Sequence, residues 1–352
     1  MFLIFKKNMK KNTLKFAGPK NFFAAETGFS PMNTVKIKAY AKINLTLDVT
    51  GVSEGYHLLD SFVASISLYD LLVVRKRKDK LVSVTMHGMD SEGIPPESNN
   101  AFRAGEAFVR RFSTTGADIT VYKNIPMGAG LGGSSADAAG VLSALAALYG
   151  ADEEALGELA DASGSDTRYM LRGGYARLRG RGNLISPVPG EGKKLYFLLI
   201  CPQTSVSSGA CYREFDRAPS RASLTEPCID AFLRGDEEET GRYLSNALYP
   251  AAIRLNEDVE KAYAEARGFS PLGVTMTGSG SCVAALFATK ELCEWAKSRY
   301  RGKFRTYVAE TVVPPLPGRK KSVGGGLRSP FALSEEEKEA AGYPGDPGRS
   351  GT

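Results

Sequence analysis

Between an alternating run over residues 117–123 and a run of small apolar residues at helical spacing from Ala136 to Tyr149, the chain reads Pro126-Met127-Gly128-Ala129-Gly130-Leu131-Gly132-Gly133-Ser134-Ser135. A strand, a glycine-rich turn and a helix in that order constrain what the chain can become. Glycines let the backbone approach a ligand closely, and the first amides of the helix point outward with the positive end of its dipole behind them. Such a turn suits a phosphate. It is not a Walker loop, since no Lys-Ser or Lys-Thr follows. Gly128, Gly130 and Gly133 match the dinucleotide fingerprint only as a string. A glycine turn packed under a helix for purely structural reasons would leave the same letters, so the reading depends on what accompanies it.

Composition narrows the class. With 43% apolar and 24% charged residues over 352 positions, the chain has the profile of a globular protein with one large or two moderate domains. No run of eighteen apolar residues occurs, so no membrane span is expected. The net charge of +6 lies in the ends. Residues 1–31 carry six lysines against Glu26, and residues 315–352 carry six Lys or Arg against five acids, which leaves the body neutral. A nucleic-acid-binding face is therefore not expected. Five cysteines without paired spacing, and only two histidines, argue against a zinc cluster and for reduced thiols in a cytoplasmic protein.

Residues 1–31 lack the apolar core and cleavage site of a secretory signal. They read as a dispensable, disordered or non-native extension before Met32, and residues 315–352 read as a disordered tail. In the body, alternation predicts strands over 34–49 and 62–76 with a turn at Gly51–Gly55, and further strands over 117–123, 169–178, 195–201 and 304–312. Helical spacing predicts helices over 100–112, 136–149, 152–162, 227–234, 238–244 and 256–267. A strand, glycine turn, strand and helix follow over 272–299. The mixture is α+β in two parts, 32–188 and 189–314, with the change near Pro187–Lys194.

Two more motifs accompany the glycine turn in order: Ala39-Tyr40-Ala41-Lys42-Ile43-Asn44-Leu45 and Thr277-Gly278-Ser279-Gly280-Ser281-Cys282. Together the three resemble the signatures of the GHMP superfamily of small-molecule kinases. Gly55-Tyr56-His57, Ser67-Leu68-Tyr69-Asp70, Asn99, Gly164-Ser165-Asp166 and Asn246 resemble the branch that acts on a cytidine diphosphate derivative of methylerythritol in non-mevalonate isoprenoid synthesis. The resemblance covers about residues 33–312. It implies a ribosomal-protein-S5-like N-terminal domain, a ferredoxin-like C-terminal domain, and ligands in the cleft between them.

It also implies roles. Asp166 would accept the proton of the acceptor hydroxyl, and Lys42 would sit beside it as its electrostatic partner. ATP would lie on Pro126, Gly128, Ala129, Gly130, Leu131, Gly132 and Gly133, with Ser134 and Ser135 capping the helix and facing phosphate or Mg2+. Asn99 and Lys123 would line the nucleotide pocket. Asn44 would orient the acceptor's hydroxyls, Tyr56, His57 and Tyr212 would hold its cytosine, and Gly278, Ser279 and Gly280 would complete the substrate side. Neither the Mg2+ ligands nor an oligomeric state can be read from these residues.

The chain departs from the family pattern at Thr167-Arg168-Tyr169, where Val-Pro-Phe is usual, and at Asn100, Ser134 and Ala247-Leu248-Tyr249-Pro250. The first departure places a new cation near Asp166. Two other readings follow from it: a kinase of the same fold for a different small alcohol, and a non-catalytic sensor of a nucleotide or sugar-like ligand.

Overall fold

A computed structural model describes residues 33–88, 95, 98–152, 154–220 and 223–314. The expectations for residues 1–31 and 315–352 lie outside the described residues.

The first sheet grows from an antiparallel meander of β1 (Thr34–Asn44), β2 (Thr46–Ser53) and β3 (Tyr56–Lys76). The expected first strand is thus two strands divided at Leu45. The turn shrinks to Glu54–Gly55, both at positive φ, and β3 begins six residues before the expected start. Tyr56–Ser61 does not alternate cleanly. It is held extended by its neighbours, β2 and β6 (Tyr175–Gly180), which satisfy its backbone. β4 (Val82–Gly88) pairs in parallel with β5 (Ala117–Lys123), and β5 pairs with β3. β7 (Leu184–Pro187) extends β6.

The second sheet is antiparallel, in the order β10 (Gly273–Met276), β11 (Val283–Phe287), β8 (Tyr196–Cys201) and β12 (Arg305–Glu310). A two-residue strand, β9 (Ser245–Asn246), crosses back to pair in parallel with Thr46–Leu47 of the first sheet. The two parts share one core, in which Phe62 and Tyr175 meet Phe232 and Phe197.

Helix α1 (Asn100–Phe112) is as expected, with a buried face of Ala101, Ala104, Phe108 and Val109. Helix α2 (Gly133–Tyr149) starts three residues early and is buried almost all round. It can lie on the sheet because Gly140 has no side chain, and a Cβ there would press on Leu72 and Ala39. A 3-10 turn (Glu154–Leu156) leads into α3 (Gly157–Ser163). The strand expected over 169–178 is instead α4 (Thr167–Arg172) followed by β6. Gly173 and Gly174, at φ 63° and 80°, separate them, and so short an apolar run fits either periodicity.

Helices α6 (Thr225–Arg234), α7 (Glu237–Tyr243) and α9 (Glu257–Arg267) match expectation, and α10 (Lys290–Arg299) backs the second sheet. Two helices were not expected: α5 (Ser208–Arg217) and α8 (Tyr249–Leu255). They pack on each other through Phe215, Leu248 and Ala252, so each is stabilised mainly by its partner. All five cysteines are buried and none is in a disulfide. Among the described residues no helix is long and apolar enough to cross a membrane.

Candidate active site between the two sheets

The glycine turn links the end of β5 to the start of α2. Gly128, Gly130 and Gly132 have φ of 64°, 76° and 73°, a region that side chains disfavour. The turn is fixed from two directions. Lys42 donates its backbone N–H to Leu131 O (3.0 Å), Cys282 donates to Ala129 O (3.1 Å), and Thr277 Oγ1 donates to Gly130 O (3.2 Å). A Cβ on Gly130 would overlap the Thr277 carbonyl. All three motifs therefore converge on this turn.

Its helix end is open. The cap residue is Gly132, which offers no side-chain hydrogen bond, and the first intrahelical bond runs from Ala136 N–H to Gly132 O. The amides of Gly133, Ser134 and Ser135 precede that bond and point out of the helix end. Ser134 and Ser135 do not cap the helix as expected, because they lie inside its first turn. Ser134 is exposed, whereas Ser135 is buried and faces Gly164 and Thr167.

Lys42 stands beside the turn. It follows a bulge between Tyr40 and Lys42 where β1 changes register against β3, and it is buried. Its Nζ lies 2.6 Å from Asn44 Oδ1 and 3.4 Å from Asp166 Oδ2. Asp166 is the residue before α4, and its side chain is 29% exposed. Asn44 Oδ1 also accepts from Gly278 N–H (3.0 Å) and lies 3.3 Å from Thr277 Oγ1, while Nδ2 donates to Ser61 Oγ (2.8 Å). That leaves one Nδ2 hydrogen without a protein partner among the described residues. The Asn44 amide is thus chiefly a bracket that ties Lys42 to the third motif.

His57 stacks on Tyr212 of α5, with ring centroids 4.5 Å apart and planes at 23°. Burial pushes the Tyr212 phenol up to about 12, and the charge of Asp166 adds to the effect. Tyr56 does not join them. Adjacent strand residues face opposite ways, and Tyr56 is 57% exposed with Arg181 over its ring. Ser279 is buried, with its Oγ 3.0 Å from Ser208 Oγ. Gly280 donates its N–H to Thr277 O (3.0 Å).

Lys123 and Asn99 are both engaged by other protein groups. Lys123 is buried between Asp70 and Asp137, ion-paired to both, with Asp137 at 2.7 Å. Burial pulls the ammonium down, but the carboxylates of Asp137 and Asp70 more than offset it and raise its pKa. Burial also pushes the Asp137 carboxyl up to about 7. Asp70 accepts the N–H groups of Asn124 (2.6 Å) and Ile125 (2.9 Å), at the entry to the turn. Asn99 caps α1 through Ala101 N–H (2.9 Å), and its Nδ2 lies 3.0 Å from Met86 Sδ.

Arg168 is also a correction. Rather than adding a cation beside Asp166, it turns outward and grips Asp161 with two hydrogen bonds of 2.7 and 2.6 Å. Tyr169 is buried and donates to Gly174 O (2.7 Å). One residue the sequence reading missed is Asp216, 2.7 Å from His57. Its only signal is its position four residues after Tyr212, visible once 208–217 is seen to be a helix.

Residues 99–175 match the GHMP kinases N-terminal domain, and residues 228–303 match the GHMP kinases C-terminal domain. Two domains of this kind, in this order, define a two-domain GHMP kinase. The chain is 36% identical to the 4-diphosphocytidyl-2-C-methyl-D-erythritol kinase of Cutibacterium acnes, over 72% of this chain and 86% of that protein. It is 32% identical to that of Syntrophomonas wolfei, over 76% and 95%. A crystal structure of a 4-(cytidine 5'-diphospho)-2C-methyl-D-erythritol kinase superposes with a TM-score of 0.66 at 30% identity, covering 79% of this chain and 99% of that one. Homoserine kinase from Cytophaga hutchinsonii shares the fold, with a TM-score of 0.63 at 19% identity over 82% and 98%. The chain belongs to the 4-diphosphocytidyl-2-C-methyl-D-erythritol kinase family.

Proposed function

We propose that the protein transfers the γ-phosphoryl group of ATP to the 2-hydroxyl of 4-diphosphocytidyl-2-C-methyl-D-erythritol, a step of non-mevalonate isoprenoid synthesis. The observation that carries this reading is the Lys42–Asp166 pair beside an uncapped helix end. The outward amides of Gly133, Ser134 and Ser135 and the helix dipole hold the phosphates. Asp166 takes the proton of the acceptor hydroxyl as its oxygen attacks the γ-phosphorus, and the bond to the β–γ bridging oxygen breaks to release ADP. Lys42, held by Asn44, offsets negative charge on the reacting oxygens.

Mg2+, a hard cation, would find oxygen donors in the exposed Ser134 hydroxyl and the Asp166 carboxylate, and it would neutralise phosphate charge. His57 and Tyr212 supply an aromatic wall for the cytosine. The outward pairing of Arg168 removes the cation that motivated a sensor or a different alcohol.

The test is ATP consumption by the full chain with 4-diphosphocytidyl-2-C-methyl-D-erythritol, mevalonate, homoserine or no acceptor. Turnover only with the cytidyl compound is expected. Turnover with another alcohol, or with none despite ATP binding, would overturn the reading.

A further inference from the structure

Asp216, near the end of α5, reaches across to β3 and places Oδ1 2.7 Å from His57 Nε2. The two residues are 159 positions apart in the chain, so the tertiary fold makes this contact. A carboxylate oxygen accepts hydrogen bonds and does not donate them, so Nε2 carries the hydrogen. In the neutral ring Nδ1 is then left with a bare lone pair. Tyr212 lies against one face of the ring, the edge of Phe215 packs at 6.1 Å, and only 14% of the side chain is exposed. Among the described residues no protein group hydrogen-bonds to Nδ1. A ligand group that meets Nδ1 must therefore be a donor.

We propose that Asp216 is a positioning residue that holds His57 as the Nε2–H tautomer, so that Nδ1 selects a pyrimidine bearing a 4-amino group over one bearing a 4-keto group. This rests on the acceptor reading above and deepens it. The amino group of cytosine can donate to Nδ1, whereas the 4-oxygen of uracil would set two lone pairs against each other. A site built around one hydrogen bond discriminates because the wrong partner leaves a desolvated polar atom unpaired.

The tautomer can be read without turnover. The chain has only two histidines, His57 and His87, so nitrogen NMR of the full-length protein labelled with 15N-histidine shows two rings, and His87→Gln assigns them. At about pH 8, above the ordinary histidine range, His57 should show hydrogen on Nε2 and none on Nδ1. A protonated Nδ1 would overturn the proposal. In Asp216→Asn, whose amide can also donate, the hydrogen should redistribute toward Nδ1.

In kinetics, the preference in kcat/KM for the cytidyl acceptor over its uridyl analogue should fall about tenfold in Asp216→Asn, the size of one hydrogen bond of about 1.4 kcal/mol. The loss should lie in the acceptor KM, with KM for ATP and kcat within about twofold of wild type. A structural loss would move all three, and an unchanged preference would also overturn the proposal. Should neither acceptor turn over, the functional reading fails by itself. Calorimetry with CMP and UMP then decides: a CMP preference that Asp216→Asn removes supports the proposal, and equal affinities for wild type overturn it.

Discussion

Two lysines flank the same glycine turn and do opposite work. A Cβ on Gly132 would touch the stem of Lys42, and a Cβ on Gly133 would come to 3.4 Å from the Lys123 ammonium. Lys42 has one carboxylate near it, Asp166, at 3.4 Å and partly exposed. Lys123 has two, Asp70 and Asp137, and all three groups are buried. The first arrangement leaves a carboxylate with an exposed face, and the second leaves none. Through Lys123, Asp70 at the turn's entry is joined to Asp137 in the first turns of α2, so the two ends of the phosphate turn are clamped together. On the proposed reading, the same residue type is a reagent where its partner meets solvent and a rivet where it does not.

The largest effect should come from removing the open carboxylate. Asp166→Ala should lower turnover by about 10²–10⁴-fold, the usual scale for a general base, with ATP affinity retained because the turn is untouched. Single-turnover kinetics with calorimetric ATP binding checks this, and near-wild-type turnover would dissolve the contrast between the two lysines.

Next in size is Lys123→Met, which leaves two carboxylates buried without their cation. It should cost about 3–5 kcal/mol in urea unfolding. Lys42→Met should instead abolish turnover while shifting the unfolding midpoint little, and equal destabilisation by both would mean that Lys42 is a rivet too.

A smaller effect concerns the pH dependence of stability. The folded Asp137 carboxyl, pushed up to about 7, lies above its ordinary 3.8. Between those values the native chain keeps a proton that the unfolded chain releases, so this contribution is fully present below about 3.8 and is lost as pH rises through about 7. Asp137→Asn should flatten that slope, as followed by unfolding midpoints across the range. Smallest of all is Arg168→Ala, which removes an exposed pair with Asp161. It should cost less than about 1 kcal/mol and leave turnover within about twofold. A large loss of turnover there would return the arginine to the site.

The glycine turn, its flanking β5 and α2, and the order of the three motifs were legible because periodicity and glycine placement are local signals. The inward path of Lys123 was legible as well, though it was not read. Ala117, Ile119 and Val121 are the buried positions of β5, and Lys123 continues their parity, just as Asp70 precedes Leu72 and Val74 on the buried side of β3. The family pattern implied a place beside the nucleotide, and alternation turned the side chain inward. The helical start of α4 was not legible, because Tyr169-Met170-Leu171 suits a strand equally well and only the Gly173-Gly174 break and the packing of Tyr169 decide it. Asp216 was hidden for a different reason: its meaning depends on a contact that only the tertiary fold creates.

Asn44 and Thr277, which join the first and third motifs, lie 233 positions apart. During synthesis the stretch bearing Lys42 emerges first and waits, at about 5–20 residues per second, on the order of 10 to 50 s for the segment that braces it. The β9 residues that pair with Thr46–Leu47 also arrive late. A nascent or prematurely ended chain can therefore form much of the first sheet while its Lys42 remains unbraced. Synthesis of the third motif is itself the step that assembles the site.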